Sequence, residues 1–388
     1  MPRDASTIDI PFPVAEFEGR LAKIRAGMRE RGVDLLLLTG PENIYYVSGY
    51  YTTGYHVYQA LLIPVDAAPC FVVRKLELGN VHHHSWIGDG APVEDGVDPT
   101  EATAERIRRY GAERARIGYE DQAVFLPPAT LDRLRARLPG ARFVPASGIV
   151  EACRMIKSPA EIAYLRRAAE AASAGMRDGA EACIAGRTEN DVAAAVYGGL
   201  VRAGSEYAGS PPYVTAGARS AVGHATYAMN VLEPADHVWI EIGASIKRYN
   251  AGIGRVVTIG TPKPELARVA DLMGRAIEAM IEAVRPGVTS GEIDRAGRGL
   301  VEAAGLGIHW QHRGGYGLGI SFPPGLGEGH IMDIKPNDPR RLEPGMVFHL
   351  VPIVLVPGVG AVGCTDTVLV TATGHELLTT MPRPVIRR

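Results

Sequence analysis

Residues 154–162 read Arg154-Met-Ile-Lys-Ser-Pro-Ala-Glu-Ile, and this stretch decides how the rest of the chain is divided. Ser158 can accept a hydrogen bond from the first turn of a helix, Pro159 suits the first helical position, and Glu161 follows three residues after the serine. This arrangement is a capping box. It predicts that a helix begins here, and that a new domain begins with it.

Two domains are expected, because 388 residues are many for a single hydrophobic core. We place the first over 1–150 and the second over 151–388. Before the boundary, apolar runs alternate with helical patterns, which is typical of a three-layer α/β unit. The predicted helices there cover 15–32, 101–110 and 127–138, and the predicted strands cover 33–39, 58–65, 70–73, 115–120 and 142–145.

After the boundary, long helical patterns surround strand and loop material. The predicted helices cover 159–185, 188–203, 263–285 and 290–305, with strand-and-loop material from 205 to 261 and further strands at 345–356 and 360–372. This order predicts a second domain that mixes helices with sheet.

The composition excludes several classes of protein. Apolar residues make up 46% and charged residues 22%, and the net charge is only −2. A balance of this kind gives no electrostatic basis for binding nucleic acid or an anionic membrane. The first residues have no apolar leader, and the four cysteines lie far apart without paired spacing. We therefore expect a cytoplasmic protein with reduced thiols.

Three further stretches follow residues 154–162 in a recognisable order. They are Val238-Trp-Ile-Glu-Ile-Gly-Ala, Gly315-Tyr-Gly-Leu-Gly-Ile, and Glu343-Pro-Gly-Met-Val-Phe with Asp366-Thr-Val-Leu-Val-Thr. In this order the chain resembles the creatinase/prolidase family over essentially its whole length. The resemblance implies an α/β N-terminal domain and an α+β pita-bread C-terminal domain with a curved antiparallel sheet. It also implies a homodimer.

The resemblance fails at the metal ligands. Peptidases of the family hold two divalent metals with two aspartates, a histidine and two glutamates. The matching positions here are Glu241 and Gly252, then Tyr316, then Val351 and Thr365. One carboxylate is too few for a dinuclear site, because dehydrating each ion must be offset by several charged ligands. We expect no metal and no other cofactor.

Creatinases and ectoine hydrolases are the relatives of this family that work without metal. The resemblance of this chain to them implies a hydrolase that cleaves a C–N bond in a small amidine, guanidino or amide compound. Two alternatives stay open. One is an aminoacylproline-type metallopeptidase, and the other is a catalytically inactive pita-bread domain that binds a partner.

Two residues are the candidates for catalysis. His224 matches the histidine that creatinases use as acid and base, and imidazole suits proton transfer near neutral pH. Glu241 interrupts an apolar strand and resembles the glutamate in the Ile-Glu-Ile stretch of ectoine hydrolases. Burial would raise its pKa towards the range of acid–base catalysis. The structural alternative for His224 is a loop histidine bonded to the backbone. For Glu241 it is a strand residue that faces solvent, or one paired with Lys247, Arg248 or Arg255.

The resemblance to creatinases is incomplete. Their catalytic glutamates match Gly254 and Cys364 here, and a nucleophilic Cys364 is an alternative to Glu241. The arginine with which creatinases hold a substrate carboxylate matches Val57. Arg255 or Arg313 would then have to bind that carboxylate.

The remaining candidates are expected to bind the substrate. Tyr316 takes the place of the lost metal histidine, and His349 follows a phenylalanine as in ectoine hydrolases. Tyr213 is assigned to the same pocket. Glu328 lies on a Gly- and Pro-rich loop expected to cover it, although Gly and Pro can also serve only to turn the chain.

The first domain is expected to contribute to the partner's site. Tyr55 and Gln59, in an unusually aromatic stretch, match residues that reach across the dimer in the family. Aromatic faces stabilise a delocalised cation by about 0.5–2 kcal/mol. The structural alternative is aromatic packing at a dimer interface. The resemblance thus predicts an active site shared between two subunits.

Overall fold

The computed structural model describes residues 8–383 and 385–388. The chain divides into two compact units after Arg154. The helix that carries this division, α6, covers Ile149–Met155.

The first unit alternates helices with the strands of one six-stranded sheet. Its other helices are α1 (Val14–Glu30), α2 (Pro41–Ser48), α3 (Leu78–His84), α4 (Pro99–Arg109) and α5 (Pro128–Arg137), and its strands are β1 (Leu35–Leu38), β2 (Ala60–Pro64), β3 (Cys70–Arg74), β4 (Gly90–Val93), β5 (Arg116–Tyr119) and β6 (Arg142–Pro145). The strand order is β4-β3-β2-β1-β5-β6. Every residue of the central strand β1 is buried. The predicted α/β organisation is confirmed.

Helix α2 was not predicted, and its burial explains why. All of its residues except Glu42 are buried. A helix that is buried on every side shows no contrast between an apolar and a polar face, which is the contrast that a sequence pattern reveals.

The second unit contains four long helices and several short sheets. The helices are α7 (Pro159–Ala182), α8 (Glu189–Arg202), α9 (Pro264–Ala283) and α10 (Ser290–Ala303), and the strands are β7 (Tyr213–Ala216), β8 (His237–Ile246), β9 (Tyr249–Thr258), β10 (Gly315–Gly317), β11 (Asp333–Ile334), β12 (Val347–Leu350), β13 (Ile353–Val356), β14 (Gly360–Gly363), β15 (Asp366–Val370), β16 (His375–Leu377) and β17 (Val385–Arg387). The four helices lie within one to three residues of their predicted bounds.

The sheets of the second unit are mainly antiparallel. One has the order β17-β9-β8-β7, a second has the order β11-β10-β12-β15-β16, and β13 pairs with β14. Only β17 joins its neighbour in parallel among these described pairs. An isolated antiparallel bridge between Gly254 and Thr365 links the first two sheets. The expected α+β domain with antiparallel sheet is confirmed.

Each of the two predicted strands near the C-terminus is in fact a pair of strands. Pro352, which has no backbone N–H to give to a ladder, lies between β12 and β13. Thr365 lies between β14 and β15 because its backbone exchanges hydrogen bonds with Gly254 instead. These interruptions bring side chains from several strands to one place.

The capping box that opens α7 is confirmed. Ser158 accepts a hydrogen bond from the backbone of Glu161, and the Glu161 side chain accepts one from the backbone of Ser158 at 2.7 Å. Within residues 8–383 and 385–388, no helix combines the length and the apolar character needed to cross a membrane.

Candidate active site

A cavity of about 670 Å³ opens in the second unit, and the predicted catalytic residues both line it. Its walls come from β7 and β8, from the loop after β7, from β10, and from the loop that follows β10. The polar and aromatic lining residues include Ser210, Tyr213, His224, Trp239, Glu241, Gln311, His312, Arg313 and Tyr316. The structure thus brings together residues that are far apart in the sequence.

Glu241 lies half-buried on β8, directly opposite Tyr213 in the antiparallel pair formed with β7. Burial raises the pKa of Glu241 to about 7, against a hydrogen bond from Trp239 that lowers it. The expected direction of the shift is therefore confirmed. Two of the three proposed ion-pair partners have other carboxylates, since Arg248 pairs with Glu206 and Arg255 with Asp366. A carboxylate poised near neutral pH in a cavity is the usual environment of an acid–base group.

This pKa has a consequence for stability. A glutamate in an unfolded chain has a pKa of about 4.3, whereas Glu241 in the folded protein has a pKa of about 7. The contribution of protonated Glu241 to the free energy of unfolding is therefore complete below the lower value, and it is lost as the pH rises through the higher one. The Glu241→Gln variant stays neutral. We expect it to exceed the wild type in free energy of unfolding by about 1–3 kcal/mol at pH 8, with the gap shrinking towards pH 5. Urea denaturation at both pH values measures this, and a gap that is independent of pH would contradict it.

His224 lies on the exposed loop after β7 and is one of the cavity residues. Its backbone has a φ of 60°, in the left-handed region that few residues other than glycine adopt. Its ring centroid is 5.9 Å from that of Tyr213, which itself faces Glu241 across the strand pair. The imidazole of His224 and the carboxylate of Glu241 therefore line the same cavity, and Tyr213 is a neighbour of both.

Tyr316, His349 and Thr365 form a hydrogen-bonded chain beside the cavity. The Tyr316 hydroxyl lies 2.9 Å from Nδ1 of His349, and Nε2 of His349 lies 2.8 Å from Oγ1 of Thr365. Tyr316 lines the cavity, whereas His349 is completely buried behind it. Contact between His349 and the substrate stays a prediction, and the residues that line the cavity do not include it. Its role in the structure is to hold the phenol of Tyr316.

Burial lowers the pKa of His349 to about 3, assisted by the charges of Arg255 and Arg313. The imidazole is therefore neutral, with one nitrogen donating and the other accepting. Burial and the charge of Glu241 raise the pKa of Tyr316 well above its usual value. The phenol is accordingly a neutral hydrogen-bonding group at the cavity wall.

The ligand positions of a dinuclear centre do not fit metal ions. Glu241 is the one carboxylate among them, and Gly252 faces the ring of His349 so closely that a Cβ atom added there would lie 2.7 Å from Cε1. No aspartate side chain has room at this position. Across the described part of the chain, no group of three or more His, Cys, Asp or Glu residues is placed to hold a metal ion. No catalytic step is therefore assigned to a metal.

Arg255 does not line the cavity. It is fully buried, pairs with Asp366 at 2.8 Å, and donates to the backbone oxygens of Thr365 and Pro382. Contact between Arg255 and the substrate stays a prediction, and in the structure these partners occupy its guanidinium. Arg313 does line the cavity, where its guanidinium lies 4.6 Å from the Tyr316 ring centroid.

Glu328 also has a structural position. It is 1% exposed, accepts a hydrogen bond from the backbone of Ile320, and pairs with Lys157 at 2.9 Å. Substrate binding by Glu328 stays a prediction, and neighbouring residues of its loop line the cavity. Lys157 lies in the stretch 154–162, just before α7. Its sequence neighbours give no sign of a partner as distant as Glu328.

Cys364 is not placed to act as a nucleophile. It is completely buried, and burial raises the pKa of its thiol to about 12. A thiolate is therefore disfavoured at neutral pH, and the cysteine packs in the hydrophobic core.

Tyr55 and Gln59 lie in the first unit. The ring of Tyr55 makes an edge contact with Phe125 at 5.9 Å between centroids, and Gln59 is 5% exposed. Their contribution to a partner's pocket stays a prediction.

Sequence comparison identifies both halves of the chain. Residues 20–156 match the creatinase/prolidase N-terminal domain, and residues 163–372 match metallopeptidase family M24. An ectoine hydrolase from Halomonas elongata is 29% identical and aligns over 97% of this chain and 98% of its own length. An Xaa-Pro dipeptidase from Lactobacillus helveticus is 28% identical, over 92% of this chain and 96% of its own.

Structural comparison agrees with the sequence. The crystal structure of dipeptidase PepE from Mycobacterium ulcerans superposes with a TM-score of 0.83 at 27% identity, and the alignment covers 97% of this chain and 99% of the other. With its creatinase/prolidase N-terminal domain and its pita-bread C-terminal domain, the chain belongs to the hydrolases of metallopeptidase family M24.

Proposed function

We propose that this chain is a metal-independent hydrolase that cleaves a C–N bond in a small amidine or guanidino compound, similar to ectoine or creatine. The observation that carries the proposal is Glu241, a carboxylate with a pKa of about 7 in a cavity that Tyr213, Tyr316 and Arg313 also line. The poor fit of the former ligand positions to metal supports it. So does the similarity to an ectoine hydrolase.

Glu241 and His224 can divide the proton transfers of such a hydrolysis. Water adds its oxygen to the amidine carbon and loses a proton to Glu241, and His224 gives a proton to the nitrogen as its bond to that carbon breaks. The products are an amide and an amine from an amidine, or a urea and an amine from a guanidino compound. Each transfer by a positioned group contributes about 10²–10⁴ in rate. Tyr316, held by His349, supplies a neutral hydrogen-bonding group at the cavity wall.

The charges of the cavity favour a substrate that carries both signs. Ionised Glu241 needs a cationic partner in its half-buried position, and a protonated amidine would supply one. Arg313 offers a guanidinium, the side chain best suited to a carboxylate. Because Arg313 already pairs with Asp333 at 2.8 Å and is 42% exposed, we assign it an orienting role and no large share of the affinity.

A substrate panel tests the proposal. Ectoine, hydroxyectoine, creatine and arginine are each incubated with the enzyme, beside an aminoacyl-proline dipeptide, and products are identified by mass spectrometry. Turnover of an amidine or guanidino acid is the expected result. Turnover of the dipeptide alone would favour the peptidase activity named for the Lactobacillus relative. No turnover, together with binding, would favour an inactive binding domain.

We expect activity to be indifferent to metal. Four of the five ligand positions hold residues other than the family's ligands: Gly252, Tyr316, Val351 and Thr365. The first of them has no space for a longer side chain. Prolonged dialysis against a chelator should leave kcat and KM unchanged, and added Mn²⁺ or Zn²⁺ should not raise them. An activity that disappears on dialysis and returns with either ion would contradict the proposal.

A further inference from the structure

The loop between β7 and β8 carries His224. Hydrogen bonds to residues outside the cavity hold this loop in place. We infer that Glu189 and Arg219 are positioning residues that clamp this loop and so place the imidazole in the cavity. The inference rests on the proposed role of His224. Neither residue lines the cavity, so each would act through His224.

Glu189 holds both ends of the loop. One carboxylate oxygen accepts a hydrogen bond from the backbone of Ala216 at 2.8 Å, where β7 ends. The other accepts from the backbone of Ala228 at 2.9 Å, on the far side of His224, and from Arg219 at 2.7 Å. Glu189 is completely buried at the start of α8. Each contact of this single carboxylate with the loop is charge-assisted, which makes it stronger than a neutral hydrogen bond.

Arg219 closes the loop from within. One arm of its guanidinium donates to Glu189, and the other donates to the backbone oxygen of Thr226 at 2.7 Å. The planar fork of arginine suits two such bonds in fixed directions, and lysine cannot reproduce both. His224 therefore lies in the chain between Arg219 and Ala228, which both donate hydrogen bonds to the Glu189 carboxylate.

Ser220, next to Arg219, provides a second anchor for the loop. The Ser220 hydroxyl accepts a hydrogen bond from the backbone of Ala361 at 2.8 Å and lies 3.1 Å from Nε2 of His237. Between the two anchors only the tip remains exposed, with His224 at a φ of 60°. A left-handed backbone at this position costs free energy, so the surrounding contacts must enforce it. Loss of the clamp should let the tip relax and move the imidazole.

The test uses Arg219→Ala, Arg219→Lys and Glu189→Gln in the full-length protein. Arg219 is the main site, because Glu189 is fully buried and its substitution can also reduce fold stability. Arg202→Ala is the matched control, since it removes an arginine from the end of the same helix α8 and breaks an ion pair with Asp178.

The first measurement needs no substrate. The ring of His224 lies beside Tyr213, so its proton resonance should carry a ring-current shift. In ¹³C-histidine-labelled protein, with the signal assigned by its absence in His224→Ala, we expect Arg219→Ala to move it towards the free-histidine position. Arg219→Lys should restore part of the shift, and Arg202→Ala should leave it unchanged. An unchanged signal in both Arg219→Ala and Glu189→Gln would overturn the inference.

The second measurement is kinetic, with ectoine as the probe. Arg219→Ala should lower kcat about 10- to 100-fold and change KM less than about threefold, because misplacement of a catalytic group affects the chemical step. The double variant Arg219→Ala/His224→Ala should be no slower than His224→Ala alone. Additive losses would overturn the inference. If the wild type does not turn over ectoine, that choice of substrate fails, while the resonance measurement still decides the position of His224.

Discussion

Glu241→Gln should lower kcat by about 10²–10⁴, the range for removing a proton-transfer group. Glutamine has nearly the shape of glutamate and can keep the hydrogen bond from Trp239, but it cannot accept the proton of an attacking water. In the wild type, kcat/KM should rise with pH through about 7, because the ionised form of Glu241 is the active base. Steady-state kinetics across pH 5–9 measure both effects.

A matched control is Glu376→Gln, which removes a carboxylate paired with Arg166 at the surface. It should retain wild-type turnover. Circular dichroism must show that Glu241→Gln is folded, as its expected gain in stability above pH 7 implies. Turnover of Glu241→Gln within a factor of a few of wild type would place the chemistry elsewhere.

His224→Ala should lower kcat by a similar factor of about 10²–10⁴ with little effect on the fold, since the side chain is exposed on a loop. Added imidazole should restore part of the activity, because the vacated space at the cavity mouth can admit a diffusible proton donor. His375→Ala, another exposed histidine of the second unit, is the control and should behave as wild type. An active His224→Ala, or a loss that imidazole never relieves, would argue against proton transfer by His224.

The fold could be predicted because its signals are local. The capping box at Ser158, the alternation of strands and helices before it, and the amphipathic helices after it lie within short windows of sequence. Glu241 and His224 could be found for a similar reason. One interrupts an apolar strand, and the other lies in a stretch that resembles a family motif.

The remaining site residues depend on contacts between distant parts of the chain. Arg255 and Glu328 are charged residues near cavity strands, and either fits a substrate-binding role by sequence alone. Asp366 and Lys157 pair with them across more than 100 residues, and only the fold reveals those partners. A buried ion pair and a binding charge look alike until the partner is known. The same holds for Glu189, whose sequence position indicates only the first turn of a helix.

The close approach of Gly252 and His349 limits which side chains position 252 can accept. An aspartate introduced at 252 would meet the histidine ring, with its Cβ 2.7 Å from Cε1, before it could offer an oxygen to a cation. Removing His349 first would leave the Tyr316 hydroxyl and Thr365 without their shared partner in a buried space. Either single substitution should therefore give a less stable protein. Gly252 and His349 constrain each other, so a change at one position calls for a matching change at the other.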